Sequence, residues 1–568
     1  MIPGNRPRGL TSLRRTAVGL LAAALLAAGA PGEAIPALGG PNSQRTPDSL
    51  AARRGAQAEV RRYMRRIEAE WDRESDPRER GTLAPRLDRY LAVHAEWRPR
   101  VIGALDGFGE RDPGDDWIAG HRVGMRIKQG WIEEAVEVAR ACAATRWWCD
   151  ALLGLSLHVA GRIPEAEGAF DAALAAMPRE DLCAWGEELT HVLSGSLQRE
   201  YAGAGCDERE MLERRLWWLA DPLHTVAGND RRTEHFMRVV SLKLYRQVLE
   251  MIPRGFPMAS WAERLRIEAG WPFYWWSYTI ILPPGRQQHY AAVQGEAFLP
   301  TESAWLSPLA SDASEWALRS VNTGERHRSP YGPVTSMDHQ TAFFQRGDSL
   351  LVVSAAQLPR PMLVAGIALS RDHDKPPFLA TDSVVAAGLR RFELRVPPGP
   401  YLVSAEAVAL GGGAHRDRFG HSLPDRNARG LGLSDAILVR WEGRPAEELH
   451  EALPRMLGTR RIQPHDELAL FWEIYGVTEG VPLSLSLTVH PEERGILRRV
   501  GERLGLLGPL SALSIRWKEE DLRGPVVGRE MGLSLAALPP GDYTLVLEAD
   551  DGSGEAVRAE RRIEVGGG

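Results

Sequence analysis

The spacing of apolar residues differs between the two halves of the chain. In its first half, apolar residues recur at helical spacing, as in the stripe Phe236, Val240, Leu244 and Val248. This spacing predicts amphipathic α-helices. Beyond Gly347 the period changes to two, most plainly along 483–489 and 513–517, which predicts strands with one packed face and one solvent face. The pattern therefore predicts a multidomain chain, α then β.

One stretch of the helical half has the spacing of a known repeat. The residues that carry it are Leu153, Gly154, Leu157, Gly161, Ala166, Phe170, Ala173 and Pro178. The stretch resembles a tetratricopeptide repeat, in which small residues let two antiparallel helices approach each other. A degenerate copy of the repeat lies 31 residues earlier, where Gly130, Ala135 and Cys142 occupy the positions equivalent to Gly161, Ala166 and Ala173. Arrays of this family most often bind proteins, so the resemblance implies a protein partner.

A second resemblance follows at 214–245, "RRLWWLADPLHTVAGNDRRTEHFMRVVSLKLY". It is similar to the GWxTD-domain proteins, a group of exported bacterial proteins, although the Gly-Trp-x-Thr-Asp signature is absent. Read from the residues alone, Asn229 or Asp230 is a good helix N-cap, with Glu234, His235 and Arg238 close behind it. A carboxylate beside an imidazole offers acid–base chemistry, whereas a Glu and an Arg near a helix start are typical of an ion pair.

The β half repeats one phrase, "VPPGPY" and "LPPGDY", each followed by alternating residues. Pro-Pro-Gly supplies a corner of fixed φ, and a Tyr after it can bury its ring while its hydroxyl satisfies a nearby backbone group, as in the tyrosine corner of immunoglobulin-like folds. Tyr401 and Tyr543 occupy this place. We therefore expect two tandem antiparallel β-sandwiches of immunoglobulin or fibronectin type, with these tyrosines in structural roles.

The organisation predicted from these patterns has seven parts. They are a signal peptide at 1–34, a polar helical lead at 35–110, tetratricopeptide-like hairpins at 111–205, a helical GWxTD-like region at 206–282, an extended connector at 283–339, a first β-sandwich at 340–441 and a second at 442–568.

The N-terminus indicates export. Four arginines precede an apolar run from Ala17 to Ala28, which is shorter than the ~20 residues of a membrane span, so a cleaved signal peptide is favoured over an anchor, and no transmembrane span is expected after cleavage. Export to an oxidising compartment predicts that the four cysteines pair locally, Cys142 with Cys149 and Cys183 with Cys206. The formal charge of −6 provides no basic excess for nucleic acid.

Candidate chemistry is sparse. The aromatic residues Trp261, Trp271, Tyr274, Trp275 and Trp276 offer either a buried joint between domains or a platform for sugars. Loop residues His415, Asp417, His421 and Asp425 are metal-ligand types, but interleaved arginines oppose a cation, so no metal or other cofactor is predicted. The sequence thus favours a non-enzymatic scaffold of the periplasm or outer envelope that binds envelope proteins. The alternative is a secreted protein that binds or cleaves carbohydrate with these aromatics.

Overall fold

The chain forms two compact units. The computed structural model describes residues 46–74, 83–249, 267, 275–282, 286–293, 297–318, 327, 329–422, 426–492, 513–520 and 522–566. The first unit takes Met1–Pro222, Ala227–Glu302 and Arg319–Pro330, and the second takes Leu223–Val226, Ser303–Leu318 and Tyr331–Gly568. The predicted signal peptide, 1–34, lies outside the described residues.

Where it is described, the first unit is helical, with one β-hairpin. Its helices are α1 Pro47–Glu74, α2 Leu83–Arg111, α3 Asp116–Gln129, α4 Ile132–Arg140, α5 Arg146–Val159, α6 Ile163–Ala176, α7 Arg179–Glu187, α8 Gly195–Gly203, α9 Cys206–Ala220 and α10 Asp230–Leu249. The hairpin pairs β1 Trp275–Leu282 with β2 Arg286–Val293. None of the helices in the described ranges is long and apolar enough to cross a bilayer.

Glycines allow the turns and the close packing of the two helical hairpins, α3–α4 and α5–α6. Gly130 and Gly161 follow the first helix of each hairpin and have φ of 86° and 75°, a left-handed conformation that ends a helix at little cost only in glycine. Within the second hairpin, Gly154 on α5 faces Phe170 on α6, and both are buried. A Cβ on Gly154 would lie 2.8 Å from the Phe170 ring, so the absence of a side chain allows the close contact.

Two disulfides cross-link the helices, as predicted. Cys142, just after α4, pairs with Cys149 on α5, and Cys183 on α7 pairs with Cys206 at the start of α9. Each bond ties two neighbouring helices and reduces the entropy of the unfolded chain, an effect worth about 2 to 4 kcal/mol.

The described residues of the second unit form four β-sheets. Its strands are β3 Val334–Ser336, β4 His339–Arg346, β5 Ser349–Leu358, β6 Met362–Ser370, β7 Phe378–Val385, β8 Gly388–Val396, β9 Tyr401–Ala409, β10 Ala414–His421, β11 Gly432–Leu433, β12 Ile437–Arg440, β13 Arg461–Ile462, β14 Leu468–Tyr475, β15 Leu483–Pro491, β16 Leu513–Glu519, β17 Val526–Leu533, β18 Gly541–Asp550 and β19 Val557–Val565. The sheet orders are β3-β10-β9-β6-β7, β4-β5-β8, β11-β14-β12 with β17 also beside β14, and β13-β19-β18-β15-β16. All pairs are antiparallel except β3 with β10 and β13 with β19.

Three apolar cores join these sheets into layers. The five-stranded sheet of β9 shares one core with β4-β5-β8, and the sheet of β14 shares another with the sheet of β18. A third core joins β4 and β5 to β12 and β14, through residues such as Phe344 and Phe471. The two middle sheets are therefore packed on both faces.

This layering corrects the expectation of one solvent face on every strand. Strands β15 and β19 of one outer sheet do alternate buried and accessible residues, but β14 of a middle sheet is buried at every position. Strand β9 is also buried throughout, and Glu406, on its face away from the core, contacts His224 and Thr225. Periodicity within one strand cannot reveal a second layer contributed by distant sequence. The predicted connector, 283–339, also differs from expectation, because it contains β2, a helical turn at Glu302–Leu306 and β3.

Tyr401 and Tyr543 occupy equivalent positions in the second unit. Both side chains are buried, and each hydroxyl donates to the carbonyl of the proline four residues earlier, Pro397 O at 2.6 Å and Pro539 O at 2.7 Å. Each bond ties the start of a strand to the Pro-Pro-Gly turn before it, so the repeated phrase marks a repeated local structure.

Gly154→Ala tests the packing of the α5–α6 hairpin. The added methyl group clashes with Phe170, and overpacking of this kind costs about 1 to 3 kcal/mol. The matched control is Gly168→Ala on α6, where a Cβ meets nothing within 4 Å and the better helix propensity of Ala stabilises the protein slightly. Thermal unfolding followed at 222 nm should show a lower midpoint for Gly154→Ala only. Equal midpoints for the two variants would contradict this packing.

Candidate functional site

The start of α10 holds the densest cluster of buried charge in the described part of the first unit. Asn229 caps the helix, because its Oδ1 accepts from the Arg232 N–H at 2.9 Å. Asp230 and Glu234 follow on one face of the helix, four residues apart, and both are at least 95% buried. The predicted stripe of Phe236, Val240, Leu244 and Val248 is buried along the same helix. The helix therefore carries two carboxylates into an apolar interior.

His327 lies between these two carboxylates. Its Nε2 is 2.5 Å from Asp230 Oδ2, its Nδ1 contacts Glu234 Oε2, and its side chain is fully buried. Carboxylate oxygens accept hydrogen bonds, so a ring that bonds to one through each nitrogen carries a proton on both. Burial alone would lower the pKa of His327, but the charges of Glu234 and Asp230 outweigh it and raise the pKa to about 9. His327 is thus an imidazolium ion at neutral pH.

Arg238 completes the pairing. Its Nη2 bonds to Glu234 Oε1 at 2.5 Å, one helical turn away, and its Nη1 donates to the Ile267 carbonyl at 3.1 Å. Burial tends to raise the pKa of Glu234, yet Arg238 and His327 hold it well below its usual range. Glu234 is therefore ionised and shared between two cations, and the sequence-based interpretation of Glu234 and Arg238 as an ion pair agrees with this geometry.

Two neighbouring histidines are neutral. Burial, together with Arg231 and Arg238, holds the pKa of His235 well below its ordinary value, and its ring packs against Trp217. Burial lowers the pKa of His158 to about 4. The Thr233 hydroxyl donates to the Asp230 carbonyl, so it accepts from His158 Nδ1, 2.9 Å away. Neither imidazole pairs with Glu234 for acid–base work.

The arrangement suits anchoring better than catalysis. Glu234 and Asp230 already accept from protein donors, and the Glu234, His327 and Arg238 side chains are 7%, 0% and 2% exposed. A general acid or base must reach its substrate, and these groups are enclosed. Instead, these side chains hold residues 267 and 327, which are distant in sequence, against the start of α10.

The second unit has a comparable carboxylate on β9. Glu406 is fully buried and accepts from the His224 N–H at 3.0 Å, from the Thr225 N–H at 2.7 Å and from the Thr225 hydroxyl at 2.8 Å. Ser404 Oγ donates to it as well, and Arg418 lies 3.4 Å away. Burial tends to raise the pKa of Glu406, but Arg418, His224 and these hydrogen bonds lower it. Glu406 thereby fastens Leu223–Val226 to the sheet.

The predicted aromatic platform is only partly within the described chain. Trp261, Trp271 and Tyr274 lie outside the described residues. Trp275 and Trp276 are consecutive on β1, opposite Val293 and Ala292. The proposal that these residues bind carbohydrate therefore remains a prediction.

The candidate metal ligands of the sequence lie on or near β10. Asp417 contacts His339 Nε2 and Arg460 Nη2, both at 3.1 Å, and the His421 ring stacks on Phe343. His415 contacts the Thr335 hydroxyl, while Asp425 lies outside the described residues. No group of three metal-ligand side chains occurs among the residues that are described.

Sequence reasoning missed His327 and Glu406. His327 is 93 residues from Glu234, in a stretch without periodicity, and nothing local marks it. Glu406 did carry a signal, because it is a charged residue inside the apolar strand "YLVSAEAVA", where a carboxylate needs a buried partner.

Comparisons with known proteins add little. No protein-family profile and no curated protein matches the chain. A transglutaminase of red sea bream is similar at 13% identity over 51% of this chain and 41% of its own, with a TM-score of 0.12. A structure titled as the basis of neurohormone perception by the receptor tyrosine kinase Torso is similar at 8% identity over 42% of this chain and 75% of its own, also with a TM-score of 0.12. The chain thus spans less than half of the transglutaminase, and similarities this weak identify neither fold nor function.

The charge on His327 predicts an alkaline limit to stability. Its pKa rises from 6.5 to about 9 on folding, so its contribution is complete below pH 6.5 and is lost as the pH rises through 9. Thermal midpoints of the helical signal, measured across pH 6 to 10, should fall in this window. His327→Gln should lower the midpoint at neutral pH and flatten the alkaline decline. An unchanged alkaline slope in the variant would mean that His327 is not charged in the folded protein.

Proposed function

We propose that this chain is an exported, non-enzymatic interaction protein of the bacterial cell envelope, and that it captures a protein partner along strand β7. Export is supported by the apolar N-terminal run and by the two disulfides, which persist in oxidising compartments. The similarity of 214–245 to the GWxTD-domain proteins, themselves exported, supports the same location. The finer assignments, tetratricopeptide-like hairpins and immunoglobulin-like sandwiches, belong to this proposal and agree with a binding role.

The observation that carries the proposal is the exposed apolar edge at β7. This strand ends the sheet order β3-β10-β9-β6-β7, so one side of its backbone has no strand partner among the described sheets. Six of its eight residues are exposed, including Phe378, Leu379 and Val384. Val384 has a φ of 52°, which a β-branched residue rarely adopts, and its side chain is 82% exposed.

Unpaired edges are normally protected against other chains. Lysines, prolines and other charges on an edge strand discourage pairing. The last strand of the other five-stranded sheet, β16, follows this rule, because Arg516, Lys518 and Glu519 accompany its exposed Leu513 and Ile515. Strand β7 contains no lysine or proline, and its only charged residue is Asp382. An extended apolar segment of a partner can therefore pair with β7 by backbone hydrogen bonds and cover Leu379, a mode known as β-augmentation.

Photo-cross-linking from within the two edge strands tests this proposal. A photoreactive amino acid at Leu379 should give a discrete adduct with an envelope protein in intact cells, because the partner segment lies beside β7. The matched control is the same amino acid at Ile515 on β16, which is also exposed. A Leu379→Lys substitution should abolish copurification of the same partner, whereas Ile515→Lys should not.

Two results would contradict the proposal. One is adduct formation of equal yield and identity from positions 379 and 515, which indicates contact without preference for β7. The other is the absence of any adduct from position 379 when the protein is exported at its natural level.

A further inference from the structure

We propose that a cavity in the second unit binds a small carboxylic acid that carries one aromatic ring or a branched aliphatic group. The cavity measures about 160 Å³ and lies where β4, β5, β11 and β14 meet the first Pro-Pro-Gly turn. It is separate from the edge at β7, so this inference does not depend on the proposed function. Its lining residues are Phe343, Gln345, Leu350, Pro398, Arg426, Gly432, Leu433 and Tyr475.

The interior of the cavity is apolar. Phe343, Leu350, Leu433 and Tyr475 are all at least 95% buried. An apolar cavity of about 150 Å³ is large enough to accept a molecule the size of benzene. Pro398 and Arg426 are exposed, so the cavity reaches solvent at these residues. Size and lining together select one ring or a short branched chain.

Contacts within the protein hold two walls of the cavity, Tyr475 and Phe343, in place. The Tyr475 hydroxyl donates to Glu473 Oε2 and accepts from the Gln345 N–H, both at 2.9 Å. Glu473 is held in turn by two bonds from Arg346, at 2.7 and 2.8 Å. On another wall, the Phe343 ring stacks on His421 with ring centroids 3.6 Å apart. A preformed cavity spares a ligand the entropy of ordering its walls.

Arg426 gives the mouth of the cavity its charge. Its Nη1 donates to the Gly430 carbonyl at 3.0 Å, its Nη2 contacts Gln345 Oε1, and its guanidinium lies over the Tyr475 ring. These bonds orient the group and leave three of its five N–H donors for a ligand. No described carboxylate lies within 4 Å of it, in contrast to Arg346 and Arg455 of the same unit. A cation held at the open end of an apolar cavity matches a carboxylate joined to an apolar group.

Calorimetric titration of the full chain with 3-phenylpropionate tests the inference. The expected result is saturable binding of one molecule per chain. The neutral analogue 3-phenylpropanol should bind at least tenfold more weakly, because it cannot pair with Arg426. Arg426→Gln should weaken binding of the acid at least tenfold as well, while Arg444→Gln, an exposed arginine outside the cavity lining, should leave it unchanged.

A spectroscopic readout locates the ligand without relying on any variant. In a protein with labelled leucine methyl groups, the acid should shift the signals of Leu350 and Leu433 selectively. Failure to bind saturably, equal affinity of Arg426→Gln and Arg444→Gln, or shifts confined to other leucines would each overturn the inference. Much tighter binding of a peptide that ends in phenylalanine than of the free acid would also overturn it, because the cavity would then belong to a protein partner.

Discussion

A carboxylate that leaves water needs hydrogen-bond donors and a compensating charge, and both units of this chain are arranged around that need. In the first unit, Glu234 on α10 pairs with Arg238 of the same helix and holds the distant His327 at the start of the helix. In the second unit, Glu406 draws the backbone of His224 and Thr225 to the middle of β9. Each carboxylate thus contacts a segment of the chain that is distant in sequence. The loss of one donor would leave a buried charge less fully satisfied, so these contacts favour one placement of the irregular segments.

This constraint also separates structural charge from functional surface. The strongly shifted pKa values of His327, Glu234 and His235 are the kind that often mark active sites. Here the groups are enclosed and satisfied by one another, so the shifts reflect anchoring. The features open to other molecules are simpler: an apolar strand edge at β7 and a small cavity with Arg426 at its mouth. Both suit recognition.

The sequence predicted what depends on neighbouring residues. Hydrophobic periods predicted the order α then β, and the spacing of the cysteines predicted both disulfides. Local patterns also predicted an N-cap at Asn229 or Asp230, of which Asn229 caps the helix, and the buried stripe of α10. What could not be predicted depends on contacts between distant segments. The hydrogen bonds of Glu406 on β9 come from His224 and Thr225, and the charge of His327 requires two carboxylates more than ninety residues away.

Hydrogen exchange at the amides of His224 and Thr225 tests most directly whether a buried carboxylate acts as an anchor. In the native protein both amides should be protected, because they donate to Glu406. In Glu406→Gln the amide that faces the new NH2 group should exchange much faster, because a carboxamide has only one oxygen acceptor. The amides between β6 and β9 should stay protected, and Glu393→Gln, at an exposed site on β8, should change neither set. Native-like protection of His224 and Thr225 in Glu406→Gln would contradict the account.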